Sequence, residues 1–122
     1  MYLLDSSVAI EMVKQGKRSN AALNFLQDSE IAIPAFTVHE MLLGFDEDDE
    51  KWKNFITNIN IMDYTSKCAE VSSRIDKELT KSGNKMGIFD MFIASIAIAN
   101  KIKLVTFDND FSRIKGLDVK VL

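Results

Sequence analysis

The chain has 122 residues, 47% hydrophobic and 27% charged, with a net charge of −3 at pH 7. That length buries one core but not two, so a single domain over residues 1–122 is expected, and the composition is that of a folded globular chain. The negative balance excludes a simple basic nucleic-acid-binding module, but it leaves room for an enzyme that grips phosphates through metal ions and a few local basic side chains. The single cysteine, Cys68, excludes an internal disulfide and a thiol-built zinc site, which favours a reducing, cytoplasmic setting. No basic segment followed by a signal-length apolar run opens the chain. The longest apolar block, Met91 to Ala99, is broken by Ser95 and too short to span a bilayer, so neither export nor membrane insertion is expected.

Tyr2-Leu3-Leu4 reads as a short buried strand ending at Asp5, and Ser6 or Ser7 can cap a helix carrying Val8, Ile10, Met12 and Val13. After the polar break Gly16-Lys17-Arg18-Ser19, either Ser19 or Asn20 can cap a second helix with Ala22, Leu23, Phe25 and Leu26 on its apolar side. Ile31-Ala32-Ile33 is a second strand, stopped by Pro34, which cannot donate to a ladder. Thr37 then opens or caps a third helix bearing Val38, Met41, Leu42 and Phe45. The acidic run Asp46 to Glu50 precedes Trp52, Phe55 and Ile56, so it reads as the solvated, dipole-favoured start of a fourth helix; a calcium loop would need a glycine and spaced oxygen ligands. Ile59 to Met62 is a third strand closed by Asp63. Thr65 or Ser66 caps a long fifth helix in which Cys68, Val71, Ile75 and Leu79 recur at helical spacing, which marks Cys68 as core. The sixth helix, GIFDMFIASIAIAN, is apolar on nearly every side and is expected to be the most buried. Lys103 to Thr106 is a fourth strand, Phe107 to Phe111 a loop entering a short helical turn, and Asp118 to Leu122 a fifth strand. Short strands separated by helices imply an α/β domain with a mainly parallel sheet of about five strands.

Several acids stand where packing alone would not choose them. Asp5 ends the first strand, Glu40 lies on the helix after the second, Asp90 is set among Ile88, Phe89, Met91 and Phe92, and Asp108 follows the fourth strand. Each has a purely structural reading as a helix cap, surface glutamate or turn former. In a parallel sheet, however, these places can converge at one carboxyl edge. Clustered carboxylates repel one another and take up protons unless a cation neutralises them. An all-oxygen pocket free of histidine and thiol suits Mg²⁺ or Mn²⁺. Lys14, Lys17, Arg18, Lys81 and Lys85 are available to hold flanking phosphates, while His39 points away from its neighbour Glu40.

Taken together, LLDSSVAI with Asp5 and Ser7, TVHEMLLG with Glu40, IFDMFIASIAIAN with Asp90, and LVTFDNDF with Thr106, Asp108 and Asp110 resemble the PIN-domain ribonucleases. The likeness is greatest to the VapC toxins of prokaryotic toxin–antitoxin pairs, and it covers essentially the whole chain. It implies a PIN-like three-layer α/β/α domain that hydrolyses RNA with Mg²⁺ or Mn²⁺, and a homodimer held inactive by a cognate VapB-like antitoxin whose tail covers the pocket. By position, Asp5, Glu40, Asp90 and Asp108 would be the catalytic acids, with the metal on Asp5, Asp90 and Asp108. Ser7 and Thr106 would be polar helpers, and Asp110 an auxiliary residue, since the aspartate before phenylalanine is often structural in similar segments. Two other readings compete: a receiver-like phosphoacceptor domain with Asp63 as acceptor and Thr106 as switch hydroxyl, and a PIN-like module that binds without cutting. The receiver reading lacks a second acid beside Asp5 and a lysine after the fifth strand.

Overall fold

The computed structural model describes residues 1–122. Its five strands, β1 (Tyr2–Leu4), β2 (Ile31–Pro34), β3 (Asn60–Met62), β4 (Lys103–Thr106) and β5 (Val119–Val121), are all parallel and lie in the order β3-β2-β1-β4-β5. The helices are α1 (Ser6–Lys14), α2 (Ser19–Leu26), α3 (Ala35–Gly44), α4 (Glu50–Thr57), α5 (Ser66–Ser82) and α6 (Ile88–Asn100), with a short 3₁₀ turn at Asn109–Arg113.

Successive strand residues point to opposite faces, and here both faces are covered. Leu3, Ala32 and Leu104 pack with α5, α6 and Phe111, whereas their neighbours Leu4, Ile33 and Val105 pack with Val8, Val13, Leu26, Met41 and Trp52 from α1 to α4. The result is a three-layer sandwich, as the resemblance implies. The chain builds outward from β1 through β2 to β3, then crosses back to lay β4 on the other side of β1. That reversal puts a crevice at the carboxyl ends of β1 and β4, where open parallel sheets bind ligands.

Side-chain caps set three of the six helix starts. Thr65 caps α5 through its side chain, and Asp49, last of the acidic run before Glu50, caps α4. Cys68 is buried on the apolar stripe of α5. Four details depart from the sequence reading. Asp5, not Ser6 or Ser7, caps α1. Helix α2 follows Arg18 without a side-chain cap, and α3 begins at Ala35 directly after Pro34, two residues ahead of Thr37. The first turn of α6 is open to solvent, with Ile88 54% and Phe89 59% exposed, although Ile93 to Ala97 are buried. This turn carries Asp90, which lines the crevice, so its apolar neighbours stand at the mouth instead of under the sheet.

Candidate active site

The crevice is a cleft of about 540 Å³ lined by Asp5, Glu40, Asp90 and Asp108, together with Ser6, Ser7, Ile10, Arg18 and Phe107. Four acids from four separated chain segments therefore share one pocket. Asp5 and Asp108 arrive on adjacent strands, because β1 and β4 pair in the register Leu4↔Val105. Glu40 and Asp90 arrive on helices from opposite layers, and Phe36 of α3 links these by packing against Phe89 and Phe92 of α6, at centroid separations of 5.7 and 6.5 Å.

Asp5 is the most constrained of the four. Its Oδ1 accepts from the Ser6 amide at 2.8 Å, and its Oδ2 accepts from the Thr106 hydroxyl at 2.8 Å and the Ser7 hydroxyl at 3.1 Å. Thr106 is fully buried, and its oxygen in turn accepts from the Asp108 amide at 3.0 Å, so one hydroxyl ties the ends of both strands together. Ser7 and Thr106 thus both donate to Asp5. Burial pushes the Asp5 carboxyl above its ordinary range, against the pull of Thr106, Ser7 and Ser6, and Asp108 adds a smaller push in the same direction.

Glu40 is fixed differently. The Ser6 hydroxyl donates to its Oε1 at 2.9 Å and lies 3.1 Å from the Thr37 hydroxyl. Ser6 and Thr37 are positioning residues that the sequence reading did not identify. A signal was present for Thr37, which stands three residues before Glu40 and so shares its helix face. Nothing local marked Ser6.

Asp90 sits in the first turn of α6, after Gly87 at the cap position, where the helix dipole favours a negative charge. Even so, burial and then the charges of Asp5, Asp108, Glu40 and Asp110 push its carboxyl up to about 6. All four neighbouring charges act on Asp90, and of these five acids only Asp110 is ion-paired. Asp108 caps the 3₁₀ turn by accepting from the Asp110 amide at 2.9 Å, and Asp110 itself pairs with Arg113 at 3.2 Å. Asp110 does not line the cleft.

The donor set fits a hard divalent cation. As the side chains stand, no three acidic groups close into a ready-made cage. An open, carboxylate-lined cleft suits an ion that keeps several waters and takes substrate oxygens as further ligands. Asp63 lies elsewhere: β2 separates its strand from β1, and it faces a different cleft with Thr65, Lys67 and Asn100. His39 is exposed, and Lys81 lines a cleft with Arg113 and Lys115. Of the five basic residues singled out in the sequence, only Arg18 borders the acidic cleft.

Comparison with known proteins identifies the family and the fold. The PIN domain family model matches residues 2–117. The tRNA(fMet)-specific endonuclease VapC of Shigella flexneri is 26% identical over 123 residues, covering 95% of this chain and 93% of that protein. Ribonuclease VapC2 of Rickettsia felis is 28% identical over 128 residues, covering 96% and 94%. A solved structure of VapBC2 from Rickettsia felis, bound to a DNA fragment from the promoter, superposes with a TM-score of 0.82 at 26% identity over 98% of this chain and 97% of that one. With the family model spanning nearly the whole chain, and with sequence and fold matching those of VapC-type endoribonucleases, this chain belongs to the PIN-domain family.

Proposed function

We propose that this chain, acting as one catalytic domain, hydrolyses RNA phosphodiesters in the β1–β4 cleft, with Mg²⁺ or Mn²⁺ held by Asp5, Asp90 and Asp108 and with Glu40 assisting. The observation that carries this reading is the convergence of four carboxylates on one cleft, where burial first and then the neighbouring charges push the Asp90 carboxyl up to about 6. A cation there would polarise the phosphodiester and acidify an attacking water. Asp5 presents a carboxylate immobilised by three donors, so its placement carries little reorganisation cost. With Oε1 committed to Ser6, Glu40 keeps Oε2 to orient a water or accept its proton. Asp90 would hold the ion in its deprotonated form.

The VapBC2 likeness supports a VapB-like antitoxin as protein partner. The exposed Ile88 and Phe89 at the cleft mouth and Leu43 on α3 offer apolar surface to such a partner or to a second copy in a homodimer. No helix is long and apolar enough to cross a membrane. The test is incubation of purified protein with a structured RNA pool in Mg²⁺ or Mn²⁺, with a chelator and with Asp5→Asn, Asp90→Asn and Asp63→Asn variants. Chelator, Asp5→Asn and Asp90→Asn should each abolish cutting, and Asp63→Asn should leave it unchanged. Cutting by Asp5→Asn and Asp90→Asn at the parent's rate would remove the proposed site. A parent that binds RNA without cutting would favour the non-catalytic reading.

A further inference from the structure

The cleft holds one cation of its own, and that cation is paired with no acid. The Arg18 guanidinium carbon lies over the Phe107 ring, 3.6 Å from its centroid, a cation–π contact on the residue between Thr106 and Asp108. Ion pairs form elsewhere in the chain, at Lys53–Asp48, Lys103–Asp118 and Arg113–Asp110, yet none engages Arg18. A guanidinium held over a ring keeps its donor edge free, and that edge matches two oxygens of a phosphate.

The loop that presents Arg18 is braced for the purpose. The Glu11 carboxylate reaches back from α1 and accepts from the Arg18 amide at 2.9 Å, while the Glu11 carbonyl accepts from the Gly16 amide at 3.1 Å. A Cβ on Gly16 would overlap the Glu11 carboxylate, so a larger residue there would have to displace that side chain from the Arg18 amide. The Gly16 carbonyl then accepts from both the amide and the hydroxyl of Ser19, which starts α2.

We propose that Arg18 is a substrate-binding residue that takes a backbone phosphate of the RNA strand beside the acidic cleft, and that Glu11 is the positioning residue that holds it there. The proposal rests on the ribonuclease reading above. It assigns the strand a direct protein contact in a pocket whose other charged side chains all repel it.

The test uses a short fluorescent single-stranded RNA of mixed sequence. Cleavage kinetics in Mg²⁺ are measured for the parent, Arg18→Gln, Arg18→Lys, Glu11→Ala and Glu11→Gln. Binding is measured against salt in the cleavage-dead Asp90→Asn background, with and without Arg18→Gln. Losing one charge-assisted contact should raise KM about tenfold in Arg18→Gln with kcat nearly unchanged. The slope of log affinity against log salt should flatten by about 0.7, the value for one phosphate of a single strand. Arg18→Lys should recover part of the KM. Glu11→Ala should raise KM in the same direction, whereas Glu11→Gln, which keeps the acceptor oxygen, should stay near the parent. Unchanged KM and salt slope in Arg18→Gln would overturn the proposal. So would a loss confined to kcat, which would mean that Arg18 acts on the carboxylates, or a KM rise with an unchanged salt slope, which would mean a base stacked on the guanidinium. A parent that fails to cut would refute the ribonuclease reading, and the salt slope would still judge Arg18 separately.

Discussion

Replacing Asp90 by asparagine should make the cation-free protein more stable at neutral pH while abolishing its activity. The carboxyl goes from an ordinary value of 3.8 to about 6 on folding, through burial and the charges of its acidic neighbours. In the unfolded chain the proton leaves near pH 4; in the folded chain it stays until about pH 6. Between these values the folded state binds more protons, so stability falls as pH rises, and the whole penalty applies above pH 6. At 1.36 kcal/mol per pH unit the ceiling is about 3 kcal/mol. Because the side chain is partly open to the cleft, solvent screening reduces this to about 1–2 kcal/mol. Asparagine has the shape of the protonated acid and no charge to desolvate. The variant should therefore melt roughly 4–8 °C above the parent at pH 7.5 in chelator. At pH 4.5, where the folded carboxyl is still protonated, about a third of the gain should remain. Urea or thermal melts at the two pH values decide the matter. A variant less stable than the parent at pH 7.5, or one with equal gains at both values, would refute the reasoning, because neither fits a buried charge held among like charges.

Divalent cation should reverse the ranking: at a concentration about 100-fold above its Kd, Mg²⁺ or Mn²⁺ should stabilise the parent by about 2.7 kcal/mol and Asp90→Asn far less, as read by melting shifts with chelator as control. Since the ion competes with the Asp90 proton, cleavage at low cation concentration should fall below about pH 6, and this acid limb should move to lower pH as more cation is added. Thr106→Val removes the donor to Asp5 and the acceptor for the Asp108 amide in a fully buried position; urea melts should show a loss of about 1–3 kcal/mol, with cleavage reduced at least tenfold and largely restored in Thr106→Ser. Ser6→Ala frees the Glu40 carboxylate; melts should show a loss of about 1 kcal/mol or less while cleavage assays show a several-fold fall in kcat.

The features legible in the sequence are those that local chemistry fixes. The short strands at Leu3-Leu4 and Leu104-Val105, the helical stripe through Cys68, Val71, Ile75 and Leu79, the acidic start of α4 and the cap at Thr65 depend on neighbours within a turn or two. The acids at strand and helix ends could also be found, because a carboxylate beside Leu4 or between Phe89 and Met91 conflicts with simple burial. The starts of α2 and α3 were less legible, because neither helix takes a side-chain cap at its first turn. The reading of α6 as the most buried helix did not foresee that its first turn stands open at Ile88 and Phe89, since periodicity reports which residues are apolar and not which end of a helix overhangs the sheet.

The sequence by itself determined the supply of parts: an α/β chain with an acid after its first strand, two more on helices, and another after its fourth strand. Only the tertiary structure decided what holds those acids. Thr106 reaches Asp5 across 101 residues because β4 pairs beside β1, Ser6 reaches Glu40 across 34 residues because α3 packs on α1, and Arg18 lies on Phe107 because the α1–α2 loop folds over the end of β4. Such contacts are set by strand order and helix packing, which no local stretch of sequence encodes. Asp5 is accordingly two things at once, a helix cap through Oδ1 and a braced site carboxylate through Oδ2, and the second role exists only once β4 is in place.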